Sequence, residues 1–218
     1  MMHPVVRITE LTKDYGQPGH QVAALSGVTL ELNPGEVVLL RGRSGSGKTT
    51  LLNVIAGWVE PDSGAVRWDG GGTSRERRWD QVAIVPQTLG LLEELSIGEN
   101  VALALLLEGA GPDDESASVR SIMERLEIDH LAGRGISECS LGEQQRAAVA
   151  RALVVEPTVL LADEPSAHQD IDRLHLVWSQ IRETAAKGAA VLATGHDRDA
   201  EPYCDRVVEL RDGRLLPR

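Results

Sequence analysis

One eight-residue segment constrains this chain more than any other part of its sequence. Residues 42–49 read Gly-Arg-Ser-Gly-Ser-Gly-Lys-Thr, which matches the pattern G-x-x-x-x-G-K-[ST] at every position. An apolar strand over Val37–Leu40 is predicted before the segment, and a helix over Lys48–Ala56 after it. Glycines let backbone N–H groups converge on phosphate oxygens, and the N-terminus of the helix adds a partial positive charge. The segment therefore predicts a loop that binds the phosphates of a nucleotide.

The residue types within this loop predict its individual contacts. The ammonium group of Lys48 would reach the β and γ phosphates, and the hydroxyl of Thr49 would bind Mg²⁺. The other residues predicted to contact the nucleotide are Gly42, Arg43, Ser44, Gly45, Ser46, Gly47 and Thr50.

A second apolar strand is predicted to end in two carboxylates. Val159–Ala162 is followed directly by Asp163 and Glu164. Ligands of open α/β sheets lie at the carboxyl ends of the strands. There, one acid can hold Mg²⁺ through water and the next can polarise an attacking water for phosphoryl transfer. Taken alone, such a strand end is a polar turn; together with the phosphate loop, it predicts a hydrolytic site.

The order of the predicted elements indicates the fold class. Strands dominate the first forty residues, helices dominate the middle third, and strands alternate with helices again after residue 158. This order predicts an α/β fold: a P-loop NTPase core with an N-terminal antiparallel β subdomain and an inserted helical subdomain over residues 88–156. We expect one domain over residues 1–218. The helices predicted within the insertion are Gly98–Glu108, Glu115–Leu126 and Gln144–Val155.

Composition argues against several classes of partner. The 218 residues include 22 Lys and Arg against 33 Asp and Glu, a net charge of −11, whereas nucleic-acid binding needs the opposite balance. No apolar run approaches the ~20 residues of a membrane span, and the first residues lack the features of a signal peptide. Two cysteines, Cys139 and Cys204, predict a reducing cytosol and no disulfide framework. The basic run Arg75–Arg78 contains its own acid and predicts a solvated segment.

The segment Cys139–Arg146, with the sequence CSLGEQQR, resembles the signature LSGGQQQR of the ATP-binding cassette (ABC) family. The residues ARAL at 150–153 match the family as well, and the resemblance extends over essentially the whole chain. It implies that the nucleotide is ATP, hydrolysed to ADP and phosphate with Mg²⁺. It also implies a head-to-tail dimer in which each ATP lies between the phosphate loop of one subunit and Ser140 and Gly142 of the other. Ser140 is a predicted N-cap, so its hydroxyl and nearby N–H groups can bind the γ-phosphate across that interface.

The same resemblance assigns roles to further residues. Tyr15 is expected to stack on adenine, Gln87 to sense Mg²⁺ and the attacking water, and His196 to contact the γ-phosphate. The expected catalytic residues are then Glu164, His196, Gln87 and Lys48, and the expected Mg²⁺ ligands are Thr49, Gln87 and Asp163.

Several positions depart from the family pattern. Leu141 and Glu143 replace a glycine and a glutamine of the signature, and His168 and Gln169 are polar where the family has Ala and Leu. None of these changes removes a core catalytic group. Whether both ATP sites turn over stays open at this stage.

The resemblance also implies partners and a location. They are an integral membrane permease and a second ABC ATPase subunit, forming a homodimer on the cytoplasmic face of the membrane. The segment Thr88–Asn100 is where the family docks a permease, and its candidate contacts are Leu89, Leu91, Leu92 and Leu95; the alternative is that these leucines only close the core. The phrases LADEP and ELRDGRL are similar to the lipoprotein-release and macrolide-export branch.

Three other functions remain open from the sequence. The first is an ABC ATPase that relays a signal across the membrane without transport. The second is an ATP-binding switch with weak hydrolysis, or the degenerate half of a heterodimer. The third, a soluble nucleic-acid ABC protein, is disfavoured by the acidic charge and by the single cassette.

Overall fold

Three antiparallel strands form the N-terminal part of the fold. The computed structural model describes residues 3–17, 20–72, 81–110, 112–196 and 198–216. Strand β1 (Val6–Gln17) pairs with β2 (His20–Leu32) on one side and with β4 (Ser63–Trp68) on the other. The apolar pattern of the sequence predicts strands only over Val5–Glu10 and Val28–Leu32. Both β1 and β2 are longer, because pairing across bulges carries the ladder through polar residues. The antiparallel β portion of the predicted fold is confirmed.

Within the described residues, a second sheet contains six strands in the order β5-β6-β7-β3-β8-β9, all parallel except β9. Its strands are β3 (Val37–Arg41), β5 (Val82–Val85), β6 (Val159–Ala162), β7 (Ala190–Thr194), β8 (Arg206–Arg211) and β9 (Arg214–Leu215). Every residue of β6 and β7 is buried, as expected for strands covered on both faces. Because the strands are parallel, the carboxyl ends of β5, β6, β7 and β3 meet at one edge of the sheet.

The helices are α1 (Lys48–Ile55), α2 (Ile97–Leu107), α3 (Pro112–Arg125), α4 (Leu141–Leu153) and α5 (Ile171–Ala186). Helices α2, α3 and α4 pack on one another and lie between β5 and β6 in the chain, where the sequence predicts helices. Helix α4 starts three residues before the predicted Gln144, because Ser140 caps it. Among the described residues, no helix combines the length and the apolar character needed to cross a membrane.

Two apolar cores hold these layers together. One lies between the parallel sheet, the inserted helices and α5, and contains the fully buried Trp178; the other lies between the N-terminal strands, α1 and the opposite face of the sheet, and contains Trp68. Trp58 is 57% exposed and belongs to neither core. The basic run Arg75–Arg78, predicted as a solvated segment, falls outside the described residues.

Candidate functional site

The phosphate loop connects β3 to α1 and is enclosed by backbone on two sides. Gly47, the N-cap of α1, has φ 104°, a left-handed conformation that favours glycine. A Cβ atom at Gly47 would overlap the carbonyl oxygen of Ala24 on β2, and one at Gly42 would overlap that of Leu210 on β8. The glycines of the motif are therefore required by close contacts as well as by backbone conformation.

Two polar side chains of this loop are buried against its inner face. Lys48 is 7% exposed, and its Nζ donates hydrogen bonds to the carbonyl oxygens of Gly42 (2.9 Å) and Arg43 (3.3 Å). The hydroxyl of Ser46 is buried and has no hydrogen-bond partner among the described residues. An unsatisfied buried hydroxyl is unfavourable, and a phosphate oxygen in the loop would accept a hydrogen bond from it. The loop thus fits a polyphosphate.

A chain of short hydrogen bonds joins the phosphate loop to the acidic strand end. Thr49 Oγ1 donates to Oδ2 of Asp163 over 2.6 Å, and Thr194 Oγ1 donates to Oδ1 of Asp163 over 2.6 Å. The hydroxyl oxygen of Thr194 also accepts the backbone N–H of Glu164 at 2.9 Å. Asp163 is 4% exposed. Hydroxyl and carboxylate oxygens brought together in this way suit Mg²⁺, which takes one or two protein ligands besides phosphates and water.

The second acid of the pair has a different environment from the first. Glu164 adopts a left-handed backbone conformation with φ 52°, and its side chain is 30% exposed. Its Oε1 lies 3.2 Å from Nε2 of His196, which follows β7. A buried carboxylate fixed by two hydroxyls therefore stands next to a more accessible carboxylate paired with an imidazole. The two carboxylates therefore differ in exposure and in hydrogen-bond partners.

Gln87 and Tyr15 lie at the margins of this arrangement. Gln87 follows β5 at the same sheet edge and is exposed. Tyr15 is 45% exposed and pairs with Val22, two residues before the Ala24 that touches the phosphate loop. The ammonium group of Lys13 lies 5.7 Å from the centre of the tyrosine ring. The ring is therefore half-exposed on the strand that pairs with β2, and the ammonium group of Lys13 lies over it.

The signature segment begins α4 with the predicted N-cap. The hydroxyl of Ser140 accepts the N–H of Glu143 (3.3 Å) and donates to Oε2 of Glu143 (2.7 Å), which also accepts the N–H of Ser140. These hydrogen bonds, from the Ser140 hydroxyl first and then from its N–H, lower the pKa of Glu143. Leu141 is 47% exposed, so its bulk lies at the surface. In the part of the chain that is described, no hydrogen bond joins Ser140 or Gly142 to the phosphate loop.

Two buried polar residues hold the segment that follows Gln87. Arg151, 6% exposed, donates to the carbonyl oxygens of Leu89 (2.7 Å) and Gly90 (2.6 Å), and burial lowers its pKa. The fully buried Asn100 bonds the N–H of Leu92 (2.8 Å) and the carbonyl oxygens of residues 92, 95 and 96. The segment therefore has a defined shape without belonging to a helix or strand.

The leucines expected to contact a permease divide between core and surface. Leu89 is 8% exposed and belongs to the core, so its expected surface contact is wrong. Its carbonyl oxygen accepts a hydrogen bond from the buried Arg151. Leu91 is partly buried against the same core, and Leu92 is 45% exposed. Leu92 is the best placed of the group for an external contact.

Thr194 and Arg151 take part in this arrangement although the sequence predicts no role for either. Thr194 ends a buried strand beside the acidic pair, and strand ends of this kind were the signal used for Asp163. Arg151 belongs to the ARAL match, but nothing nearby in the sequence indicates that it binds residues 89 and 90.

Comparisons with known proteins agree with this geometry. The family described as ABC transporter matches residues 25–167. The lipoprotein-releasing system ATP-binding protein LolD 2 of Caulobacter vibrioides is 38% identical over 224 residues, covering 99% of this chain and 98% of that protein. An uncharacterized ABC transporter ATP-binding protein of Mycobacterium tuberculosis is 34% identical over 218 residues, covering 96% of this chain. The chain spans 66% of the length of that mycobacterial relative.

A solved structure extends the agreement to three dimensions. A dimeric ATP-binding cassette in a post-hydrolysis state, bound to ADP and Pi, superimposes with a TM-score of 0.90 and 28% sequence identity, covering 97% of both chains. The predicted fold class, a P-loop NTPase core with an antiparallel β portion, is confirmed.

Proposed function

The chain belongs to the ABC transporter family, and on that premise we propose that it is the ATP-hydrolysing subunit of an export-type or lipoprotein-release-like transporter with a separate membrane permease. The observation that carries the hydrolytic part is the hydrogen-bonded set Thr49–Asp163–Thr194–Glu164 beside the phosphate loop. The lipoprotein-releasing relatives, which cover nearly the full chain, support the transport part.

In the proposed reaction, the phosphate loop and Lys48 hold the β and γ phosphates of ATP. The backbone N–H groups of the loop and the buried ammonium neutralise phosphate charge where water is largely excluded, which strengthens their effect. Tyr15 stacks on the adenine ring. Thr49, Asp163 and Gln87 would hold Mg²⁺, which would further neutralise the charge on the phosphate oxygens.

Glu164 is the proposed residue that prepares the attacking water. Its partly exposed carboxylate accepts a proton as the water oxygen bonds to the γ-phosphorus, and the bond from that phosphorus to the ADP oxygen breaks. His196 contacts the γ-phosphate. Its Nε2 lies 3.2 Å from Oε1 of Glu164 and so orients that carboxylate toward the γ-phosphate. Positioning and electrostatics supply most of the rate in phosphoryl transfer.

A head-to-tail homodimer completes each site in this proposal. Ser140 and Gly142 begin α4, where the helix N-terminus favours an anion. Among the described residues, Ser140 hydrogen-bonds to Glu143 and Gly142 to Gln169, and neither bonds to the phosphate loop, which supports their use by the ATP of a partner copy. The dimeric relative bound to ADP and Pi supports the assembly.

We also propose the corresponding domain division and location. Residues 1–218 form one cassette, residues 88–156 form its helical subdomain, and the cassette lies on the cytoplasmic face of the membrane through its permease. The exposed Leu92, in the segment held by Arg151 and Asn100, is the proposed apolar contact with that permease.

The test uses the tagged variant Glu164→Gln, with Glu156→Gln as the matched control at an exposed ion pair with Lys187. We expect wild type and Glu156→Gln to hydrolyse ATP and Glu164→Gln to lose turnover while accumulating the ATP-bound dimer. Purified with Mg-ATP from detergent-solubilised native membranes, Glu164→Gln should bring down a polytopic membrane protein. Unchanged turnover in Glu164→Gln contradicts the catalytic role of Glu164. Isolation of the cassette without a membrane protein contradicts the proposal that it works with a permease. A polytopic partner that is a sensor, with no transported substrate, contradicts transport and favours the signal relay.

A further inference from the structure

The loop between β6 and α5 carries Glu164 and has an unfavourable backbone. Glu164 (φ 52°) and His168 (φ 62°) both lie in the left-handed region, which residues with side chains rarely adopt. Such conformations persist only where the surrounding structure holds them, and they are concentrated at functional sites. The contacts around this loop must therefore stabilise its backbone conformation.

On the side of the parallel sheet, two contacts fasten the first half of the loop. The N–H of Glu164 donates to Thr194, and Nε1 of the fully buried Trp178 donates to the hydroxyl of Ser166 over 3.1 Å. These bonds connect the loop to β7 and to α5. Neither bond reaches the second half of the loop, residues 167–169, which contacts α4 instead.

The second half is held by the side-chain amide of Gln169, which bonds α4 twice. Its Oε1 accepts from Nη1 of Arg146 over 2.9 Å, and its Nε2 donates to the carbonyl oxygen of Gly142 over 2.8 Å. Arg146 is 8% exposed, and its Nε has no hydrogen-bond partner among the described residues. Removing Gln169 would therefore deprive a buried cation of an acceptor that the described neighbours do not replace.

The two backbones also approach closely at this point. A Cβ atom at Gly142 would lie 2.9 Å from the carbonyl oxygen of His168. The glycine lets the first turn of α4 rest directly on the loop, and Gln169 bonds across the junction. The leucine of the family pattern at this position has no polar atom, so it makes neither bond.

We propose that Gln169 is a positioning residue that ties the start of α4 to the loop carrying Glu164. The proposal rests on the proposed function, in which Glu164 acts on the ATP of its own subunit while Ser140 and Gly142 bind the ATP of the partner. The amide of Gln169 then couples the two ATP sites through one subunit. When the ATP of the partner subunit binds Gly142, Gln169 restrains the loop that carries Glu164, which acts on the ATP of its own subunit.

The coupling has two measurable consequences. ATP hydrolysis by the wild-type dimer depends cooperatively on ATP concentration, because each filled site orders the loop of the other. In addition, the two hydrogen bonds of Gln169 to α4, here called the clasp, bond no backbone N–H of the helix but restrain local opening of its first turn. The amides of this turn therefore exchange more slowly even without nucleotide.

The test compares two variants of Gln169 in the full chain. Gln169→Leu removes both bonds with little change of shape, and Gln169→Glu keeps an acceptor for Arg146 but places a carboxylate against the carbonyl of Gly142. Gln180→Leu, the same change on α5, is the matched control. We expect both Gln169 variants to exchange the first-turn amides of α4 about tenfold faster, as loss of a hydrogen bond to a buried group allows. The Hill coefficient for ATP should fall to one in both and stay unchanged in Gln180→Leu.

The outcomes separate this proposal from the proposed function. A wild type that does not hydrolyse ATP contradicts the proposed function, and the exchange measurement still decides whether the clasp orders α4. A wild type that hydrolyses ATP without cooperativity, or Gln169 variants with wild-type cooperativity or wild-type exchange, overturns the coupling. If Gln169→Leu does not fold, the same criteria apply to Gln169→Glu.

Discussion

The hydroxyl of Thr194 donates a 2.6 Å hydrogen bond to Oδ1 of Asp163. The same oxygen accepts the N–H of Glu164, so one side chain from β7 orients both acids at the end of β6. The other carboxylate oxygen of Asp163, Oδ2, accepts a hydrogen bond from the hydroxyl of Thr49. The buried carboxylate is thereby held between two hydroxyls and faces the phosphate loop.

Replacing Thr194 with valine removes this hydroxyl at nearly constant volume. We expect kcat to fall and the Mg²⁺ concentration for half-maximal activity to rise, by about 10- to 100-fold, as for other partners that orient metal ligands. Steady-state hydrolysis with a Mg²⁺ titration measures both. Thr194→Ser keeps the hydroxyl and should retain most activity. Wild-type Mg²⁺ dependence in Thr194→Val contradicts this role.

Tyr15→Ala removes the half-exposed ring that is proposed to stack on adenine. We expect KM for ATP to rise about 5- to 100-fold with little change in kcat, since stacking of a base on an aromatic ring contributes about 1–3 kcal/mol. Tyr15→Phe keeps the ring and should keep the wild-type KM. If the alanine and phenylalanine variants have equal KM values, the ring does not stack on the base.

Gly47→Ala tests whether close backbone packing shapes the phosphate loop. Gly188 offers a matched control, because it also has a positive φ (113°) but a Cβ atom there meets nothing within 4 Å. Both substitutions should destabilise by about 1–2 kcal/mol through backbone strain. Only Gly47→Ala should lose nucleotide binding, because its new methyl group overlaps Ala24. Titration with a fluorescent ATP analogue measures this, and normal binding by Gly47→Ala refutes it.

A carboxylate remote from the sequence motifs should make stability depend on pH. Asp205 accepts hydrogen bonds from the N–H of Val37 (2.8 Å) and from Nη1 of Arg182 (2.5 Å). Burial works to raise the pKa of Asp205, but these bonds outweigh it and lower the pKa. A lowered folded-state pKa stabilises the fold above the unfolded value of about 3.9, and this contribution is lost as the pH falls through the folded value.

Urea unfolding of wild type and Asp205→Asn across this pH range checks the prediction. The difference in unfolding free energy should be constant near neutral pH and shrink below about pH 4. Asp129→Asn, at an exposed aspartate, is the matched control. A difference between wild type and Asp205→Asn that does not vary with pH would show that the carboxylate charge is not responsible.

Features that depend on near neighbours in the chain were predictable from the sequence. The phosphate loop, the capped start of α4 and the two acids after β6 each occupy a few consecutive residues, whose conformations and hydrogen bonds are largely local. The strands β1 and β2 were predicted too short, because their outer parts depend on pairing with each other and not on an apolar pattern.

Only the tertiary structure decided which of these segments meet. Thr49 and Asp163 are 114 positions apart and Thr194 lies 31 beyond Asp163, and the strand order brings their oxygens within hydrogen-bonding distance. The inward turn of Leu89 and the clasp of Gln169 on α4 were likewise absent from any local pattern. A sequence motif specifies the donors and acceptors that a segment offers. Their partners are set by the packing of sheets and helices, which is a property of the whole chain.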